Sequence, residues 1–170
     1  KRNLSIVTNP SANTKLASGI APIKRYLDEG INVGIGTDGP ASNNALDFFR
    51  EMWLVTGLAK LREMDASVVD AYDVLKMATV NGATLLNMLD ARYLSEGSVA
   101  DIIMIDLHQP NMQPINNIEK NIVYSGSKAN VLMTMIDGKV LYENGQFFLD
   151  EPIEEIYRKA QEITDRLKSK

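Results

Sequence analysis

Residues 31–35, Ile-Asn-Val-Gly-Ile, constrain the fold most. The run is nearly all apolar, so a strand built from it has both faces covered, the habit of a buried parallel strand. It is preceded by a second strand pattern, Asn3-Leu4-Ser5-Ile6-Val7, broken by Asn9-Pro10-Ser11. Between the two, residues 20–29 have a helical pattern, with Pro22 near the first turn and Gly30 as the stop. Strand, helix and strand over about 35 residues make a βαβ unit, and the chain is expected to be α/β.

After residue 35 comes the polar turn Gly36-Thr37-Asp38-Gly39-Pro40-Ala41-Ser42-Asn43-Asn44. A long helix is expected over 45–63, with Leu46, Phe49, Trp53, Leu54, Leu58 and Leu61 as its apolar stripe. Further helices are expected over 70–79 and near 81–89. From Val99 the pattern changes: residues 100–107 and 121–125 are strand-like, and 131–145 form a hairpin turning at Asp137-Gly138. Residues 152–168 make an amphipathic helix with Ile153, Ile156, Ala160, Ile163 and Leu167 on one face.

Composition excludes several functions. The 170 residues carry a net charge of −4 and no basic stripe, which argues against a nucleic-acid partner. No apolar run approaches the roughly 18 residues of a membrane span. Cysteine is absent, removing disulfides and thiolate metal sites, and a cytoplasmic home fits. His108 is the only histidine, so the chain alone cannot supply the roughly three ligands, commonly histidines, of a hydrolytic zinc site. It sits in a loop beside Gln109-Pro110 and is assigned no role.

Asp38 is the candidate for chemistry. It follows a buried strand directly, between glycines that allow a tight turn. A carboxylate there can ligate a metal with one oxygen and accept a proton with the other; it can equally cap the turn or the next helix. Ser42 or Asn43 is expected to cap the long helix, with Asn43 or Asn44 as a brace for the Asp38 loop. Asn9 and Asn13, with Lys15 and Ser18, are expected on the same side as Asp38, lining a substrate mouth or an ordinary loop. Asp47 and Glu51, one helical turn apart, either support a metal ligand from behind or form a solvated face, the first being preferred.

Together, residues 9–23, 30–52 (with GTDG, SNN and LD), 74–86 (with MAT and NGA), 95–107 and 131–145 resemble the C-terminal half of the amidohydrolase superfamily. The nearest branch is that of the 5-methylthioadenosine/S-adenosylhomocysteine deaminases and related chlorohydrolases. The resemblance implies the last two strands of a metal-dependent (β/α)8 barrel (residues 1–95), part of a composite β-sandwich (96–150) and a terminal helix (151–170). It implies Asp38 as metal ligand and proton acceptor. It also implies one divalent ion, zinc first and iron, manganese or nickel next, and a small nucleoside substrate attacked at purine C6 by metal-activated water. Other ligands and the acid/base glutamate would lie upstream, so the chain would be an inactive fragment needing the rest of the barrel, and a homo-oligomer is open. Three positions depart from the family pattern. Thr8 stands where His is usual, Ala12 where Ser precedes Asn, and Ser98-Val99 where a pair such as Gly-Lys is common. The first two leave the substrate open, with guanine, cytosine, a triazine or an amide as alternatives, or a non-catalytic module that kept the fold.

Overall fold

The computed structural model describes residues 4–169. Asn3, the expected start of the first strand, lies outside them. The chain divides into two units, Lys1–Val99 with Asp106–Asn130, and Ala100–Ile105 with Val131–Lys170.

The first unit is built on a parallel pair. Strand β1 (Ser5–Thr8) lies beside β2 (Asn32–Ile35), with Ser5 opposite Asn32 and Thr8 opposite Ile35. The connection contains two short helices, α1 (Pro10–Lys15) and α2 (Ile23–Asp28). Helix α1 was not expected; Pro10 opens it at a position where a missing N–H does no harm. Gly30, at φ +69°, takes the left-handed conformation that ends α2. Val33 and Ile35 are buried as the apolar run predicts.

Helix α3 (Pro40–Asn43) is a single turn, and the long helix α4 spans Phe48–Glu63. Its cap is Asp47, not Ser42 or Asn43: Asp47 Oδ1 accepts from the amides of Phe49 at 3.1 Å and Arg50 at 3.3 Å. The expected apolar stripe is also corrected. Trp53 and Leu61 are 51% and 63% exposed, whereas Phe49, Met52, Val55, Thr56, Ala59 and the charged Glu51 are buried. Apolar residues ring much of this helix, so their spacing does not select the face; packing does.

Helix α5 (Ala71–Ala78) is capped by Asp70. It buries Val74 and Met77 completely. Helix α6 (Val80–Leu85) follows. Asn81 Nδ2 donates to Val33 O at 2.9 Å, and Gly82 lies against Gly34. The Asn-Gly step therefore lets α6 approach β2 closely.

Residues 121–125 are not a strand. They form a π-helical turn that continues the short α7 (Ile118–Lys120). Asn117 caps α7 through Lys120 N, Asn121 Nδ2 donates to Met112 O at 2.7 Å, and Val123 is buried. These anchors outweigh the β-favouring composition of Asn-Ile-Val-Tyr-Ser.

In the second unit an antiparallel sheet runs β3 (Ile102–Ile105), β4 (Val131–Ile136), β5 (Lys139–Glu143) and β6 (Gln146–Phe147). Asp137 and Gly138, at φ +49° and +76°, make the expected turn. Asn144 and Gly145 make a second one, leading to the short unexpected strand β6. Helix α8 (Ile153–Lys168) is present, with Tyr157, Ile163 and Leu167 exposed. No helix of the described residues is long and apolar enough to cross a membrane.

Candidate active site at the ends of the parallel strands

Parallel pairing makes β1 and β2 end side by side, and Gly36 N continues the ladder to Thr8 O at 2.9 Å. The two loops that follow are joined by side chains. Asn9 reaches across so that its Oδ1 accepts the Asp38 amide at 3.1 Å. Gly36 makes this crossing possible: a Cβ there would stand 2.4 Å from Asn9 Oδ1 and 2.9 Å from Val7 Cγ1.

Asp38 has φ +58°, a left-handed conformation that Asp tolerates better than most residues. Its side chain is exposed. Two neighbours hold its carboxyl below the usual carboxylate range, the Ser42 hydroxyl and then the Gly39 amide. The hydroxyl's single proton is directed to Gly39 O at 3.0 Å, so the Gly39 N–H, 2.7 Å from Asp38 Oδ1, is the firmer donor. No lysine or arginine pairs with Asp38 among the described residues.

Behind this loop lies a buried polar network. Asn43 is 3% exposed and spends both amide protons, on Thr37 O at 2.7 Å and Glu51 Oε1 at 2.6 Å. Its Oδ1 accepts from the amides of Ala45 and Leu46, both at 3.3 Å. Glu51 is fully buried, and its Oε2 accepts the Ser11 amide at 2.9 Å. The solvated-face reading of Glu51 is therefore excluded, while Asp47 is the helix cap already described.

The other expected residues separate. Asn44 Oδ1 accepts from Lys15 Nζ at 2.5 Å, and Lys15 also donates to Ala41 O, so this pair ties α1 to the turn at α3. Ser42 supports the Gly39 carbonyl. Asn13 lines a narrow gap with Thr8 and Leu58, and its side chain makes no hydrogen bond among the described residues. His108 is held through its backbone by Asp106. A cavity of about 500 Å³ opens beside Ser11, Lys15, Arg50 and Trp53, but Asp38 does not line it. Sequence reasoning missed Ser11 and the packing role of Gly36; Pro10 was the available signal that a helix begins there and turns the Ser11 amide inward.

Among the described residues no three His, Cys, Asp or Glu side chains converge as a metal site. What this chain offers is one ionised, exposed carboxylate, held by its backbone at the ends of two parallel strands.

Several known proteins are similar in sequence, and a solved structure is similar in fold. The 5-methylthioadenosine/S-adenosylhomocysteine deaminase of Thermococcus onnurineus is 46% identical over 148 residues, covering 87% of this chain and 35% of that protein. The 5'-deoxyadenosine deaminase of Methanosarcina mazei is 40% identical over 172 residues, covering 99% of this chain and 40% of that protein. The crystal structure of an adenosine deaminase from Xanthomonas campestris with bound zinc superposes with a TM-score of 0.92 at 32% identity, over 98% of this chain and 38% of that one. The chain thus spans little more than a third of the length of these relatives. Residues 1–141 match the amidohydrolase family, and the chain belongs to that family.

Proposed function

We propose that this chain is the C-terminal part of a zinc-dependent hydrolase that deaminates adenine nucleosides carrying a 5′ substituent such as methylthio, homocysteinyl or hydrogen. In this reading β1 and β2 are the last two strands of a (β/α)8 barrel, whose catalytic groups gather at the strands' C-terminal ends. Within residues 96–150 the antiparallel sheet β3–β6 contributes to a β-sandwich completed by residues outside this chain, and α8 is the terminal helix. The observation that carries the reading is the Asp38 carboxylate. It is ionised, free of any cation partner among the described residues, and fixed at its amide by Asn9.

Such a carboxylate fits one ligand position of a divalent ion, the remaining ligands coming from outside the described residues. Bound there, zinc would supply Lewis-acid activation of the attacking water. Asp38 Oδ1 keeps its bond from the Gly39 amide, which favours the ionised form. The Asp38 carboxylate, which has no ion-pair partner among the described residues, is the group that would take the proton from the water. The net reaction forms a C6–O bond, breaks the C6–N bond and releases ammonia. Asn9, held against Gly36, keeps Asp38 from drifting, and Thr8 borders the same end of β1.

The test is ammonia release from 5'-methylthioadenosine, S-adenosylhomocysteine and 5'-deoxyadenosine by the zinc-loaded full-length protein. Turnover of at least one of them is expected; turnover of none, with activity on a triazine or guanine instead, would replace the substrate class.

A further inference from the structure

Glu51 is a fully buried carboxylate that makes no ion pair among the described residues. Burying a carboxyl group is costly unless its oxygens accept hydrogen bonds, and both oxygens of Glu51 do. What a carboxylate does here, and a neutral side chain does not, is accept from two donors at once. Oε2 takes the backbone N–H of Ser11 in the segment after β1, and Oε1 takes Asn43 Nδ2 in the segment after β2. Asn43 passes the restraint on to Thr37 O, next to Asp38, while Ser11 lies two residues from Asn9, whose Oδ1 holds the Asp38 amide. The result is a closed ring of restraint: Asp38, Asn9, Ser11, Glu51, Asn43 and Thr37. It is anchored in α4, a helix of 16 residues packed through Met52, Val55 and Ala59.

We propose that Glu51 is a positioning residue that locks the two strand-end loops in register, so that the Asp38 carboxylate is held where the reaction needs it. This rests on the reading of Asp38 given above. Glu51 touches neither substrate nor metal; it acts through Asn43 and Ser11. Supporting groups behind a catalytic ligand typically change activity by about 10- to 100-fold when removed.

Glu51→Gln is the test, in the full-length zinc-loaded protein. A glutamine keeps the shape, but its NH2 must face either the Ser11 amide or the Asn43 amide, donor against donor, so only one loop stays held. The expected result is a fall in kcat of about 10- to 100-fold per folded, zinc-loaded molecule, with KM held within about threefold. Asn43→Ala, which frees Thr37 by the other route, should show the same split. A purely structural role would lower the melting temperature and leave kcat per folded molecule at the parent value. Parent-like kcat in the folded variants would overturn the proposal. Failure of both to fold would also overturn it, by assigning the network to stability alone; if only one folds, its kcat decides. Asp38→Asn separates this from the underlying reading. Parental turnover in Asp38→Asn removes the Asp38 role itself, whereas loss of turnover there with parental kcat in Glu51→Gln removes only the positioning role.

Discussion

Replacing Gly36 with alanine is the sharpest probe of how the two loops are joined. The backbone at Gly36 is not in the left-handed region, so alanine meets no conformational strain there. Its effect comes from contacts alone. The new methyl would stand 2.4 Å from Asn9 Oδ1, and the oxygen must retreat by about 1 Å to reach ordinary contact. The bond from Asp38 N to Asn9 Oδ1 is already 3.1 Å long, so that retreat breaks it. The second contact, 2.9 Å to Val7 Cγ1, adds overpacking. Overpacking of about 1–3 kcal/mol and a lost hydrogen bond of about 0.5–1.5 kcal/mol are partly offset by about 0.4–1 kcal/mol from a stiffer unfolded chain. The net loss should be about 2 kcal/mol, within bounds of about 0.5–4 kcal/mol, read from equilibrium urea denaturation followed by circular dichroism. In an Asn9→Ala background the oxygen is gone and only the Val7 contact remains. There, Gly36→Ala should be milder by about 1–2 kcal/mol, a coupling well above additivity error. Equal losses in both backgrounds, or a neutral Gly36→Ala, would refute the crossing of Asn9 over Gly36.

Two further outcomes follow from the packing. Asp47→Ala removes the cap that holds two amides of α4 and should lower stability by about 1 kcal/mol in the same denaturation experiment, without changing the melting cooperativity. Met77→Ala empties a fully buried position in α5 and should be destabilising by about 2–5 kcal/mol, seen as a drop in melting temperature.

The parts legible in the sequence are those whose cause is local. The apolar run at 31–35 marks a strand covered on both faces, and β2 is one. Asp137-Gly138 needs two positive φ values, and the chain takes them. Gly30 ends its helix for the same kind of reason. What was not legible depends on partners distant in sequence. Spacing alone leaves Glu51 open between support for a metal ligand and a solvated face, and it takes the Ser11 amide, 40 residues away, meeting its carboxyl group to decide that it is buried. The buried face of α4 is chosen by neighbours that its own spacing does not reveal, which is why Trp53 lies outside it. Residues 121–125 have strand composition, yet Asn121 is tied to Met112 and Val123 is drawn into the core, and those contacts decide their shape.

At the candidate site, the residue types around Asp38 marked out the loop after β2 but not the division of labour within it. Asn9 and Asn43 were placed near the loop from their position alone. Their separate tasks, one on the Asp38 amide and one between Thr37 and Glu51, follow from side-chain direction. Asn44 turned to Lys15 instead. Polar clusters in loops carry this ambiguity because each asparagine can donate, accept or cap, and the geometry of its neighbours selects which.

The central claim is that Asp38 is the metal-binding and proton-accepting carboxylate of a nucleoside deaminase. The most direct measurement is the zinc content and turnover of Asp38→Asn in the full-length protein, beside the parent, on a nucleoside that the parent deaminates. Asparagine keeps the size and can still accept from the Gly39 amide, so the fold should be retained. The account predicts a folded variant with zinc reduced or weakly held and turnover lost by at least about 1,000-fold, as expected when a general base worth about 10²–10⁴-fold is removed together with a ligand charge. A variant that holds zinc as the parent does and deaminates at a comparable rate would contradict it.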